Sequence, residues 1–197
     1  MNVARYMQEG AVTALPTAAL SVVRKVMEEH GFGLLLVASE EGTLRGFVTR
    51  ASLKGVTDWD EPVEKLAHPA KFAVSPDDTL EKAALILLEN RLVLLPVTLE
   101  DGRLVGVLTQ AEVLRGLAEG LGIGLEGTRL TVRWRDGSND LYEVLDALRE
   151  QAVDLISLTG GAADGDRREA ILRVQGVSDR ESLREDLERR LRGEEAA

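Results

Sequence analysis

Cysteine is absent from the 197 residues, which excludes disulfides, thiolate nucleophiles and cysteine-ligated metals. Basic charge is scarce. Lys and Arg number 24 against 34 Asp and Glu, a formal net charge of −10, and the sequence pI is near 4.8. Phosphate neutralisation along a nucleic acid needs a basic face, so no nucleic-acid partner is expected. Room is left for a small anion held by local backbone dipoles. Only two histidines occur, His30 and His68, and neither has the spaced carboxylate or second histidine of a metal site. Long apolar runs are missing as well. The stretches 34–38 and 83–88 fall far short of the roughly 20 residues that cross a bilayer, and the first ten residues lack the apolar region of a signal peptide. A cytoplasmic protein without a membrane partner is the expectation. No lysine follows Lys82, a weak compositional signal by itself. With no Gly-x-Ser-x-Gly elbow and no phosphate-binding P-loop, the chain is not expected to be an enzyme.

What the chain does contain is a repeat. Glu41-Gly42-Thr43-Leu44-Arg45-Gly46-Phe47-Val48-Thr49 returns as Asp101-Gly102-Arg103-Leu104-Val105-Gly106-Val107-Leu108-Thr109, with a constant offset of 60. Pro16 answers Pro76, Leu20 answers Leu80 and Val37 answers Val97. A repeat in constant register is one supersecondary unit used twice, each copy unable to bury its apolar face alone. Each copy opens with a short apolar stretch ending in Pro. A helix pattern follows, with Leu20, Val23, Val26 and Met27 on one face in the first copy and Leu80, Ala83, Ala84, Leu87 and Leu88 in the second. Thr79 is placed to cap the second of these helices. Ala19 stands at that position in the first, which leaves Thr17 as a cap one turn earlier. Two apolar runs then flank a turn, and Asp101-Gly102 is a hairpin signal because Gly accepts positive φ. Thr49 and Thr109 begin another helix, so each copy reads β-α-β-β-α.

Gly46 and Gly106 let backbone approach closely, either to a ligand or between the two copies. Thr49 and Thr109 set a hydroxyl beside the free N–H groups of a helix start, a ready anion site. Thr109-Gln110-Ala111-Glu112 is equally a capping box, in which Thr and Glu satisfy helix-start donors reciprocally.

The motif Gly-h-h-Thr/Ser-x-x-Asp/Asn, with h apolar, is the hallmark of the CBS domain. Gly46-Phe47-Val48-Thr49-Arg50-Ala51-Ser52 and Gly106-Val107-Leu108-Thr109-Gln110-Ala111-Glu112 resemble it over residues 3–117. The tandem is similar to a CBS pair, or Bateman module, with 1–60 as the first repeat and 61–117 as the second. The resemblance implies an adenine nucleotide (AMP, ADP or ATP type) as a regulatory ligand, with no obligatory cofactor. It implies phosphate at Thr49 and Thr109, ribose hydroxyls at Ser52 and Glu112, and close ligand approach at Gly46 and Gly106. Glu112 is one methylene longer than the usual Asp, and Ser52 offers only an uncharged contact. Arg50 near the first motif and Arg91 near the second are further candidate phosphate contacts.

Residues 118–127 read as a glycine-rich linker and 128–197 as a second domain. An alternating strand with Leu130, Val132 and Trp134 on one face is followed by a helix over 141–151, strands over 153–158 and 170–174, and a last helix opened by Ser178-Asp179-Arg180-Glu181 as a capping box. The loop between the strands is read at Gly160-Gly161 and Asp164-Gly165-Asp166. This order resembles the ferredoxin-like ACT domain, giving an α+β fold overall. The ACT ligand turn, Asp-x-Pro-Gly-x-Leu, is met by Asp136 and Leu141, with Asn139 in place of the Gly and Asn tolerating left-handed backbone. The family's last strand is not visible in the polar end 192–197. The expected whole is a sensor that forms a homodimer and acts on a metabolic-enzyme client, similar to acetoin-utilisation regulators. The alternatives are a ligand-free interaction scaffold and an amino-acid sensor.

Overall fold

The computed structural model describes residues 1–161 and 165–192. The chain divides into two compact units, Met1–Gly116 and Leu117–Ala197.

In the first unit both copies build the same hairpin. Strand β3 (Leu34–Ala38) pairs parallel with the short β2 (Thr13–Ala14) and antiparallel with β4 (Leu44–Thr49), and β5 (Leu94–Thr98) pairs antiparallel with β6 (Leu104–Thr109). Gly42 and Gly102 turn the hairpins, both at φ 82°. The tips join each other, Leu44 N–H donating to the Gly102 carbonyl (3.1 Å) and Leu104 N–H to that of Gly42 (2.9 Å). Helix α1 (Leu20–Glu29) buries Leu20, Val23 and Met27, and α2 (Leu80–Glu89) buries Leu80, Ala83 and Leu87. Leu88, expected on the buried face, is 74 % exposed.

The leading segments are exchanged. The turn Val3–Arg5 and strand β1 (Gln8–Glu9) leave the first repeat and pack on the second. Val3 N–H donates to the Asp78 carbonyl, Leu80 N–H to Met1, and β1 pairs antiparallel with β6. Sixty residues on, Val63 N–H donates to the Ala18 carbonyl, Leu20 N–H to Glu61, and His68 bridges to Phe47. Val3 and Val63 are fully buried. Sequence repeats and packing units therefore interleave. The exchange also answers the capping question. Thr79 accepts from Lys82 N–H at 3.2 Å, whereas α1 has no side-chain cap at all, Thr17 included. Its first donors go instead to the Glu61 and Trp59 carbonyls.

The copies also differ after their second hairpin strand. Beyond β6 runs α3 (Gln110–Gly120). The helix expected after Thr49 is absent, and 50–55 make only turns. Gly55, at φ 85°, stops the turn where the second copy carries Arg115.

The second unit is a three-stranded antiparallel sheet in the order β7 (Thr128–Arg135), β9 (Arg167–Gln175), β8 (Asp154–Gly160). Helices α4 (Asp140–Glu150) and α5 (Arg180–Leu191) cover one face, burying Val132, Val144, Leu148, Leu172 and Leu183 among others. The cap of α5 is Asp179, not Ser178, and it accepts from Glu181 N–H (2.9 Å) and Ser182 N–H (3.2 Å). The stretch read as a linker is tied down by its backbone. Leu121 carbonyl accepts from Ser157 Oγ (2.9 Å) and Leu125 carbonyl from Arg173 Nη2 (3.2 Å). Asp164 and residues 193–197, which held part of the loop and of the polar end, lie outside the described residues.

Candidate ligand site between the repeats

The two hairpins and the inter-repeat segment 68–72 enclose a cleft of about 570 Å³, floored by Leu34, Leu36 and Phe47 of one copy and Leu94 and Pro96 of the other, with Arg91 and Lys71 at its wall. Leu34 and Leu36 are the repeat equivalents of Leu94 and Pro96, so the floor is built twice from the same positions. Volumes of 300–1,000 Å³ with apolar walls and few polar groups are typical of small-molecule sites.

The motif threonines stand directly across the hairpins from this floor, Thr49 opposite Leu34 and Thr109 opposite Leu94. None of Gly46, Thr49, Ser52, Gly106, Thr109 and Glu112 lines the cleft itself. Each motif closes on itself. In the first, the Thr49 and Ser52 hydroxyls lie 2.9 Å apart, Ser52 N–H donates to Thr49 Oγ1 (3.1 Å) and Thr49 N–H to Ser52 Oγ (3.3 Å). In the second, Glu112 Oε2 accepts from Thr109 N–H (3.0 Å) and from the Thr109 hydroxyl, while Oε1 accepts from Gln8 Nε2 at 2.7 Å. Glu112 is the buried charged residue among the described residues, 7 % exposed. Burial pushes its pKa up, but hydrogen bonds from Thr109 and Gln8 together outweigh it and hold the carboxyl below the ordinary glutamate value.

The glycines have a packing role. A Cβ on Gly46 would sit 2.3 Å from the His68 carbonyl oxygen, and one on Gly106 would sit 2.6 Å from that of Gln8. The space beside each is filled by the exchanged segment, a crossing that the repeat pattern did not disclose. Arg50 is also engaged internally. Its Nε donates to the Phe32 carbonyl at 2.8 Å and its Nη2 to that of Met27 at 3.4 Å, closing the end of α1. Gln110 does the same at Leu92, at 2.9 Å. Arg91 differs. It is exposed and holds left-handed backbone at φ 53°, where the first copy has Gly31 at φ 70°. A non-glycine residue in that region costs roughly 1–2 kcal/mol.

In the second unit the structure separates the residues of the expected ligand turn. Asp136 Oδ2 pairs with Arg168 Nη2 at 2.7 Å. Leu141 packs against the core. Asn139 is not left-handed but has φ −92° at the start of α4, and Gly137 carries the positive φ, 84°.

Comparison with known proteins places these features. The sequence profile of the CBS domain matches residues 3–56 and 63–119. Inosine-5'-monophosphate dehydrogenase of Methanocaldococcus jannaschii is 26 % identical over 147 residues, 75 % of this chain but 29 % of that protein. The chain thus spans under a third of that relative. A CBS domain pair/ACT domain protein of Thermotoga maritima superposes with a TM-score of 0.57 at 26 % identity, covering 61 % of this chain and 99 % of that one. CBSX2, solved in complex with AMP, gives a TM-score of 0.54 at 26 % identity over 59 % of this chain and 95 % of that one. With a duplicated hairpin, exchanged leading segments and a profile match over both copies, the chain belongs to the CBS-domain family.

Proposed function

We propose that the first unit is a regulatory sensor that binds an adenine nucleotide in the cleft between its repeats. The observation that carries this is the cleft itself, an apolar slot with two cations, Arg91 and Lys71, at its wall, in a fold that CBSX2 shares and in which CBSX2 was solved with AMP. The base lies against Leu34, Leu36, Phe47 and Pro96, and Arg91 takes phosphate. The left-handed backbone of Arg91 ends α2 as that of Ala152 ends α4, so it is the exposed guanidinium at the cleft wall that supports the reading. Thr109 stands opposite Leu94 of the floor, and Glu112 serves as ribose acceptor once the Gln8 amide gives up Oε1. Thr49, Ser52 and Arg50 form the weaker counterpart. The second unit acts as an ACT-like dimerisation domain that relays the bound state to a metabolic-enzyme client. The relay requires unequal nucleotide affinity for two conformations. The chain has no catalytic role of its own in this reading.

The closure of both motifs by internal hydrogen bonds favours one other reading, a ligand-free scaffold. Calorimetric titration with AMP, ADP, ATP and S-adenosylmethionine separates the two. A micromolar response (about −8 kcal/mol) is expected for at least one nucleotide. Arg91→Gly should remove it while changing stability by less than about 1 kcal/mol, since relief of strain offsets the added unfolded-state entropy. Silence from every ligand would leave the scaffold.

A further inference from the structure

The second unit is acidic overall, yet one face of its sheet is not. Along β7, Arg129, Thr131, Arg133 and Arg135 are exposed and alternate with Leu130, Val132 and Trp134, which face the core. The register sets them opposite Arg173, Ile171, Glu169 and Arg167 of β9, and residues directly opposite share a face. Five arginines therefore meet a single glutamate there. That glutamate is already taken, Arg133 Nε lying 2.6 Å from Glu169 Oε2. The linker meets this face at Arg173, the residue opposite Arg129, where Leu125 carbonyl accepts from Arg173.

Among the described residues the same strand is an edge of the sheet. In the order β7-β9-β8, β7 has β9 on one side and no strand among the described residues on the other. An open edge presents backbone donors and acceptors to another strand. A second copy of β7 is a poor occupant. An antiparallel self-pair that keeps the faces aligned, centred on Val132, sets Arg129 against Arg135 and Thr131 against Arg133. Shifting the centre by one residue gives Arg129 against Arg133 or arginine against itself. Like charges directly opposite destabilise a sheet.

We infer that the β7 edge is a docking site for an extended acidic peptide segment of a partner protein, which adds a fourth strand and sets Asp or Glu at alternate positions against Arg129 and Arg135. Side chains on one face of a strand recur every ~7 Å, so Arg129 and Arg135, on the same face of β7, stand three such repeats apart and meet every third carboxylate of an alternating strand. A strand supplies both the backbone pairing and the carboxylates, whereas a nucleic acid supplies only the charge. This inference is independent of nucleotide binding in the first unit.

The test uses the full chain and a fluorescein-labelled octapeptide of alternating glutamate and valine, followed by fluorescence anisotropy. Saturable binding is expected, weaker at high salt and at least tenfold weaker for Arg129→Glu/Arg135→Glu. The Arg129→Ala/Arg135→Ala variant, checked for folding by circular dichroism, should show the same loss without reversing charge. In a Trp59→Phe background, emission of Trp134 should change on binding. A peptide of equal charge with proline at a central valine should bind at least tenfold more weakly, because it cannot complete the ladder. Equal binding of the proline peptide would overturn strand addition. Tighter binding of single-stranded oligothymidylate would overturn the choice of a peptide. Self-association abolished by Arg129→Glu/Arg135→Glu would hand the edge to a second copy. No binding of the acidic peptide would sink the inference outright.

Discussion

The two CBS motifs stand sixty residues apart in the same sheet register, yet they end differently. At the second, Thr109 and Glu112 close a capping box and α3 follows. At the first, Thr49 and Ser52 close a smaller ring of hydroxyl and amide contacts, and the chain turns away at Gly55. Duplication fixes the hairpin and the crossing of the exchanged segment. What comes after depends on one side chain's reach and one glycine. A carboxylate can span two donors and hold Gln8 as well. A serine hydroxyl spans one turn only.

The strongest test of this comparison lies at the crossings. Gly46→Ala sets a methyl group against the His68 backbone, which sits in the middle of the chain between two folded copies. Overpacking of this kind costs about 3 kcal/mol. Gly106→Ala meets Gln8, in a two-residue strand near the N-terminus that can peel away, and about 1–2 kcal/mol is expected. Urea midpoints at constant slope would measure both. Equal losses would show that the N-terminal segment is as firmly held as the inter-repeat one.

Next come the motif side chains themselves. Glu112→Ala removes a helix cap and the bond from Gln8, and about 2 kcal/mol is expected. Ser52→Ala removes only local contacts and should cost about 1 kcal/mol or less. If nucleotide binding runs through the second motif, Glu112→Ala also weakens affinity while Ser52→Ala leaves it within a few-fold. A reversed order of affinities would move the ligand to the first motif.

Much of this was legible in the sequence, because it rests on local signals. The constant offset exposed the duplication, Gly42 and Gly102 the hairpins, and Leu20, Val23 and Met27 the buried stripe of α1. Nonlocal features were not legible. That Val3 and Val63 trade places, and that Gly46 and Gly106 are crossed by His68 and Gln8, depends on contacts distant along the chain. Leu88 fits the apolar period of α2 but stays exposed, because the stripe that buries Leu80, Ala83 and Leu87 is narrower than the run of leucines. The missing helix after Thr49 was hidden by the likeness of the motifs, although Gly55 opposite Arg115 was its visible sign. In the second unit the turn motif drew the eye to Asn139, while Gly137 supplies the left-handed geometry.

The smallest expected effect is one of pH, and it too divides the copies. Glu112 has a folded pKa below its ordinary value of 4.5, burial being outweighed by the bonds from Thr109 and Gln8. Asp78 is held below 3.8 by Lys82 and by the Ser75 amide. Their equivalents in the first copy, Ser52 and Ala18, do not titrate. Glu41 and Asp101 at the hairpin tips are lowered in both copies, so they do not distinguish them. A depressed carboxylate stabilises the fold fully above its unfolded pKa, and that contribution is lost as pH falls through the folded value. The stability gap between wild type and Glu112→Gln should therefore be constant above about pH 5.5 and narrow as pH falls further, by at most one proton's worth, about 1.4 kcal/mol per pH unit. The gap between wild type and Ser52→Ala should not change over the same range. Urea titrations at half-unit steps from pH 7 to pH 3.5 would measure both. A Glu112→Gln gap that stayed flat would mean that the carboxylate is not what closes the second motif, and that the two copies differ in shape but not in charge.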